Sequence, residues 1–230
     1  MGASVSEFLR LLTGEHRVLV LGGLAVIAHG LSRATKDAAV WLEPMASAEI
    51  WLEVLHAAIR RSPVPLELRC LPGWRVLEGE ELIANVEQTG VIRVLGLHVP
   101  LDIFRRPNQV QEADFEAFWE AAVAQDDGTR LPAPLDLLMT KEDTGRDRDH
   151  GDRGFLLAKA RSDAGAALAL ADAREARRIL GAFFDYEVCR RGLANPDAEV
   201  RALIATELRV LASDGDPFAR DILAEQGFDP

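Results

Sequence analysis

The run Arg17–Leu21 (RVLVL) stops dead at Gly22-Gly23, and this junction constrains the fold more than any other feature. A β-branched apolar run of that length predicts a buried strand. Two glycines at its end predict a tight turn, because only glycine brings the backbone that close to a neighbour without a Cβ in the way. Leu24–His29 then predicts a short helix closed by Gly30, and Asp37–Leu42 (DAAVWL) a second strand. Ser4 or Ser6 is suited to cap a helix through Leu12, and a further helix is expected from about Ser47 to Arg60.

Between Leu66 and Phe104 the pattern breaks into short alternating pieces, LELRCL, ELIANV, VIRVL and HVPLDIF, separated by Gly73, Gly79, Gly90 and Gly96. These predict antiparallel strands. After Asn108 helical spacing takes over, near Glu112–Ala124, Pro134–Glu142, Asp147–Ala160, Asp172–Arg190, Asp197–Leu211 and Pro217–Gln226. The fold class expected is α+β, a mixed sheet with helices followed by a helical C-terminal region. The division expected is a domain over 1–160 and a helical region over 161–230. The alanine-rich stretch Arg161–Arg178 predicts close helix packing.

Charge narrows the partners. A net charge of −11 opposes non-specific binding to a polyanion, since phosphate contacts need clustered Lys and Arg. The adjacent arginines at 60/61, 105/106, 177/178 and 190/191 read as solvated helix faces. The start of the chain has no charged leader before an apolar stretch, and no run reaches the roughly 18 apolar residues that span a bilayer. A cytoplasmic protein without membrane partners is therefore expected. Cys70 and Cys189 stand far apart, with no spacing that suggests a disulfide framework or a zinc site.

Chemistry concentrates in two stretches. LGGLAVIAHGLSRATKDAAVWL (21–42) resembles the nucleotidyltransferase superfamily, and within it the AbiEii and MenT-like toxin type. That pattern runs strand, Gly-Gly, short helix, then R-x-T-x-D-x-D entering a second strand. Gly22, Gly23, Arg33, Thr35 and Asp37 match, while Ala39 stands where the second acid belongs. The resemblance implies that Gly22 and Gly23 approach the phosphates of a nucleoside triphosphate. Acids at i and i+2 of a strand share one face, so they can jointly hold Mg2+. It also implies a third acid on a neighbouring strand, and VPLDIF supplies Asp102, an acid that burial makes costly unless it is paired or metal-bound. Asp37 and Asp102 are thus the expected metal ligands, with Asp102 also the expected general base.

The second stretch, LDLLMTKEDTGRDRDHGDRGFLLAK (135–159), is similar to the element of the AbiEii type in which a helical lysine precedes G-R and D-x-x-D. Lys141, Gly145, Arg146, Asp149 and Asp152 match. By resemblance Lys141 neutralises triphosphate charge, while Asp149, alongside Asp152, orients Lys141, Arg146 or the nucleotide. Gly22, Gly23, Asp37, Ala39, Asp102 and Lys141 are expected to line one cleft. Outside this set, His29 reads as a structural or capping residue, His150 as part of a charged turn, and Trp41, Trp51 and Trp119 as core aromatics. Trp74, beside Gly73, is the tryptophan placed to line a cleft.

The implied activity moves a nucleoside monophosphate from a triphosphate to a hydroxyl. A transfer-RNA 3′ end is among the acceptors, within a toxin–antitoxin pair that supplies a cognate antitoxin. Two alternatives stay open: transfer to a small cationic aminoglycoside, which an acidic surface attracts, and a nucleotide-binding sensor or antitoxin-like protein. Alanine at position 39 provides no ligand atom, so this chain is expected to turn over poorly. It is either a degenerate homologue or an active enzyme disabled by one substitution, and the persistence of the other matched positions favours the second.

Overall fold

The computed structural model describes residues 3–107, 110–141 and 147–228, with side chains from residue 150 in the last stretch. The chain divides into two compact units, Met1–Leu156 and Leu157–Pro230.

The first unit is built on a seven-stranded mixed sheet. Its strands are β1 (Val18–Leu21), β2 (Ala38–Leu42), β3 (Glu67–Arg69), β4 (Val91–Leu95), β5 (Leu101–Phe104), β6 (Val123–Ala124) and β7 (Arg130–Leu131), in spatial order β3-β4-β5-β2-β1-β7-β6. β2 runs parallel to β5 and β1 parallel to β7; the remaining pairs are antiparallel.

Helices α1 (Val5–Thr13), α3 (Ala48–Arg61) and α4 (Gly79–Thr89) share one apolar core with Val18, Val40, Leu42, Ile92, Val94, Leu101 and Ile103 of the sheet. Helix α1 starts where Ser4 and Glu7 exchange capping-box bonds, and α3 starts on the Ser47 hydroxyl. A second cluster joins Leu19, Leu21 and Trp41 to Phe115 and Phe118 of α5 (Phe115–Ala121), to Leu137 of α6 (Pro134–Met139) and to Leu156. Trp41 meets Phe115 and Phe118 edge-on, its indole N–H donating to the Arg105 carbonyl at 3.0 Å.

Three elements differ from the sequence expectation. ELIANV is not a strand but the centre of α4, where Leu82 and Val86, four residues apart, face the core and Gly90 stops the helix at φ 66°. The stretch near Glu112–Ala124 ends in strand β6 rather than continuing as helix, and β6 hydrogen-bonds to β7. Asp172–Arg190 is two helices, α8 (Ala173–Ala182) and α9 (Tyr186–Gly192), because Asp185 breaks the run and caps the second through the N–H groups of Glu187 and Val188.

Helix α7 (Asp147–Leu168) contributes Leu156 to the second cluster of the first unit and Leu168 to the core of the second. The second unit adds α8, α9, α10 (Ala198–Ser213) and α11 (Pro217–Glu225), with Asp172, Asp185, Asp197 and Asp216 as caps. Its core is aliphatic, from Ile179, Val188, Val200, Ile204, Leu208 and Leu223. No helix among the described residues is long and apolar enough to cross a membrane. Cys70 and Cys189 are both buried free thiols, and burial pushes the Cys189 thiol up to about 12.

Candidate active site

Pairing register places the matched residues of the sheet in one row. Leu21 of β1 pairs with Ala39 of β2, Ala39 with Asp102 of β5, and Asp102 with Arg93 of β4. Directly opposed residues share a sheet face, so Ala39, Asp102 and Arg93 stand side by side. Asp37, two residues before Ala39, carries the same parity into the entry of β2. The opposite parity, Ala38, Val40 and Leu42, is packed into the first core.

The glycine pair closes one side of this row. Gly22 and Gly23 open α2 (Gly22–Ala28) as its first two residues, rather than forming a turn ahead of it. Gly22 has φ +59°, and a Cβ there would stand 3.0 Å from the Ala39 Cβ. A Cβ on Gly23 would meet the Thr35 hydroxyl at 2.6 Å and Arg33 Nη2 at 2.9 Å. Side chains at either position would displace Ala39, Thr35 or Arg33, which explains why both are glycine.

The R-x-T-x-D segment is locked by its own polar groups. Thr35 Oγ1 donates to the Asp37 carbonyl at 2.8 Å and approaches Asp37 Oδ1 at 3.3 Å. Arg33 Nη2 donates to Asp152 Oδ2 at 2.7 Å, and Lys141 Nζ reaches the same oxygen at 2.7 Å. Asp152 is 1% exposed and Lys141 6%, so one buried carboxylate ties Lys141 to Arg33 in the loop before β2. Arg33 Nε is buried with no hydrogen-bond partner among the described residues, an unmet donor at this node.

Of the expected residues, the structure therefore brings Gly22, Gly23, Arg33, Thr35, Asp37, Ala39 and Asp102 together through direct neighbours, and joins Lys141 to them through Asp152 and Arg33. Arg146 and the Asp149 side chain lie outside the described residues. Lys141 takes Asp152 as a partner at 2.7 Å. His29 holds the Pro132 carbonyl through Nε2 at 2.9 Å, and Trp119 stacks on Phe115.

Asp102 departs from expectation in its partner. Arg93 Nε and Nη2 donate to its two carboxylate oxygens at 2.6 and 2.7 Å, a bidentate pair. The Arg93 Cζ lies 3.9 Å from the centroid of the Trp74 ring. Hydrogen bonding to Asp102 raises the Arg93 pKa, and the charges of Asp102 and Asp37 add to it, which places Asp37 within electrostatic reach. Sequence reasoning missed Arg93. A charge inside VIRVL was its only signal.

The donor set decides whether magnesium fits. Among the described residues no three His, Cys, Asp or Glu side chains are grouped to hold an ion. Asp37 and Asp102 are the acids of this face nearest position 39 among the described residues, each oxygen of Asp102 accepts from Arg93, and Ala39 in the same row has no ligand atom. These residues do not fit a two-ion centre.

One further acid was missed. Asp136, in the first turn of α6, has a buried carboxyl oxygen without a partner among the described residues. Burial raises its pKa to about 6, opposed by a hydrogen bond from the Ala133 backbone.

No protein-family model and no curated protein matches the chain. Among solved structures it is similar to a proposed nucleotidyltransferase from H. pylori, at 12% identity and a TM-score of 0.39, over 96% of this chain and 92% of that one. Similarity at that level leaves function to the geometry.

Proposed function

We propose that the first unit is a nucleotidyltransferase-type domain that holds a nucleoside triphosphate and does not turn it over. The observation that carries this reading is convergence. Segment 21–42 and residues 102, 141 and 152, far apart in sequence, meet at Gly22–Ala39–Asp102 and at Arg33–Asp152–Lys141. Gly22 and Gly23 let β1 and α2 pack directly against Ala39, Thr35 and Arg33, and Arg33, Arg93 and the neighbourhood of Lys141 supply positive charge. A buried donor without an acceptor, Arg33 Nε, is what a site short of its anion leaves behind.

The parent reaction is attack of an acceptor hydroxyl on the α-phosphorus. The new phosphoester forms as the α–β anhydride breaks and pyrophosphate leaves, and the hydroxyl proton passes to a nearby carboxylate. Here that face has lost the acid at position 39. If the acid contributes even a few kcal/mol to the transition state, its absence lowers turnover by roughly a hundredfold or more. A toxin acting on a transfer-RNA 3′ end, held in check by an antitoxin, is the biological setting we favour.

Ala39→Asp tests this. The new carboxylate pairs in register with Asp102 and shares the parity of Asp37, so a third acid joins those two and a divalent ion is favoured there. Transfer from α-labelled triphosphates to transfer RNA, protein and aminoglycosides should appear in this variant, should require added Mg2+, and should vanish again on adding Asp37→Ala. Persistent silence with every acceptor, alongside tight nucleotide binding by both forms, would instead establish a sensor.

A further inference from the structure

An arginine has five N–H donors, and the Asp102 pair uses two of those on Arg93. Nη1 donates to no described residue, and the side chain is 20% exposed, so its remaining donors are open to a ligand. Trp74 fixes the plane of the guanidinium from the other side. Its own backbone is at φ 54°, a left-handed conformation that a bulky side chain seldom adopts and that costs of order 1–3 kcal/mol. Such strain persists only where the surroundings enforce it, and here its result is a clamped, planar cation.

That cation sits beside Asp102, which stands between it and Ala39 in the same row, where a metal-dependent site would need its acids free. Near position 39 the face carries Asp37 and Asp102 against Arg93, and Ala39, where the resemblance expects an acid, puts no repulsive charge in the path of a phosphate chain.

We propose that Arg93 is the cation of the phosphate site: paired with Asp102 and stacked on Trp74, it offers its free donors to the polyphosphate, so that nucleotide binds without a divalent ion. This rests on the nucleotide-binding reading above and states how the site is neutralised. A planar, weakly hydrated guanidinium binds phosphate oxygens through directed hydrogen bonds, and its charge cannot be lost by deprotonation. Asp102, in this arrangement, orients Arg93 instead of ligating an ion.

The experiment titrates the full chain calorimetrically with ATP and with inorganic triphosphate, in EDTA and in Mg2+. The two conditions should give affinities within about threefold, and Arg93→Gln should weaken binding in EDTA by about tenfold or more, with Arg93→Lys falling between. Trp74→Ala, which leaves the ion pair intact, should also weaken binding in EDTA, so the proposal is tested even where Arg93→Gln fails to fold. Electron paramagnetic resonance supplies a second readout: the chain should leave Mn2+ free in solution, while Arg93→Gln, releasing Asp102, should capture it. Binding that is about tenfold tighter in Mg2+, or unaffected by either variant, overturns the proposal while the nucleotide reading survives. Binding of neither ligand in either condition overturns both.

Discussion

The two units differ in where they keep their charges. In the first, Lys141 and Asp152 are almost wholly buried, Arg33 joins them, and Arg93 and Asp102 form a second pair with side chains 20% and 15% exposed. In the second, the ion pairs run along helix surfaces, as between Arg178 and Glu175 or between Glu187 and the arginines at 190 and 191. Its buried polar residue is neutral: Asn195 donates to the carbonyls of Leu168 and Ala171 and accepts from the Asp197 N–H. Burying an ion costs several kcal/mol even after pairing, so a fold that needs only stability does better with an amide or an aliphatic side chain. The second unit follows that economy and the first does not. Of these charges in the first, Arg33, Asp102, Lys141 and Asp152 are residues that the resemblance matches, and Arg93 is bonded to one of them.

The sharpest way to break this comparison is to remove Asp152. Lys141 and Arg33 would then lose the buried carboxylate they share, and breaking a buried ion pair by removing one partner costs about 3–5 kcal/mol. Urea unfolding of Asp152→Ala should show a loss of that order. Adding Lys141→Met should recover part of it, since one of the two cations around the lost carboxylate then disappears. A loss below about 1 kcal/mol would mean that the node is wet and the contrast between the units false.

Much of this was readable in advance. Strands β1, β2, β4 and β5 follow from apolar runs, and the Gly22-Gly23, Asp37, Ala39 and Asp102 assembly follows from motif order. ELIANV misled because six residues hold too little of either period, and Leu82 and Val86 fit a helix as well as alternation fits a strand. Strands β6 and β7 have two residues each and carry no periodicity at all. Arg93 was invisible for another reason: its partner is set by the pairing of β4 with β5, and register is a property of the sheet, not of either strand. The resemblance already set Asp152, with Asp149, to orient Lys141, but the Arg33–Asp152 bond hides as Arg93 does, since 119 residues separate the two and only the fold brings them together.

Asp136 gives a smaller effect and a pH signature. Its folded pKa, about 6, is raised above the model-peptide value of 3.8 because burial disfavours the carboxylate. Between those values the folded state binds the extra proton, so this group makes stability fall as pH rises from about 4 to about 6, and the cost is fully present above that window. Asp136→Asn, which keeps an oxygen to accept from Ala133, should raise the melting temperature at neutral pH by a few degrees and flatten its pH dependence across the window. A variant that melts lower at pH 7.5 and keeps the slope would show that the ionised form has a compensating partner.

The smallest effect is expected in the second unit, and it is the control on which the comparison depends. Arg177 of α8 and Glu199 of α10 approach to 3.4 Å with side chains 60% and 66% exposed. Two long side chains in water gain little by meeting, because solvent screens their attraction and each loses rotamer freedom in holding one geometry. A double-mutant cycle with Arg177→Ala and Glu199→Ala should therefore give a coupling of about 0–0.5 kcal/mol, and each single variant should unfold within about 0.5 kcal/mol of the parent. Added salt should leave even that small term undetectable. The same cycle on Lys141 and Asp152 should give several kcal/mol that salt barely alters, since little solvent reaches either group. Coupling above about 1 kcal/mol at the exposed pair would show that its geometry is held by something other than the two charges. The second unit would then have strong ion pairs of its own, and buried charge would no longer distinguish the unit that carries the candidate site.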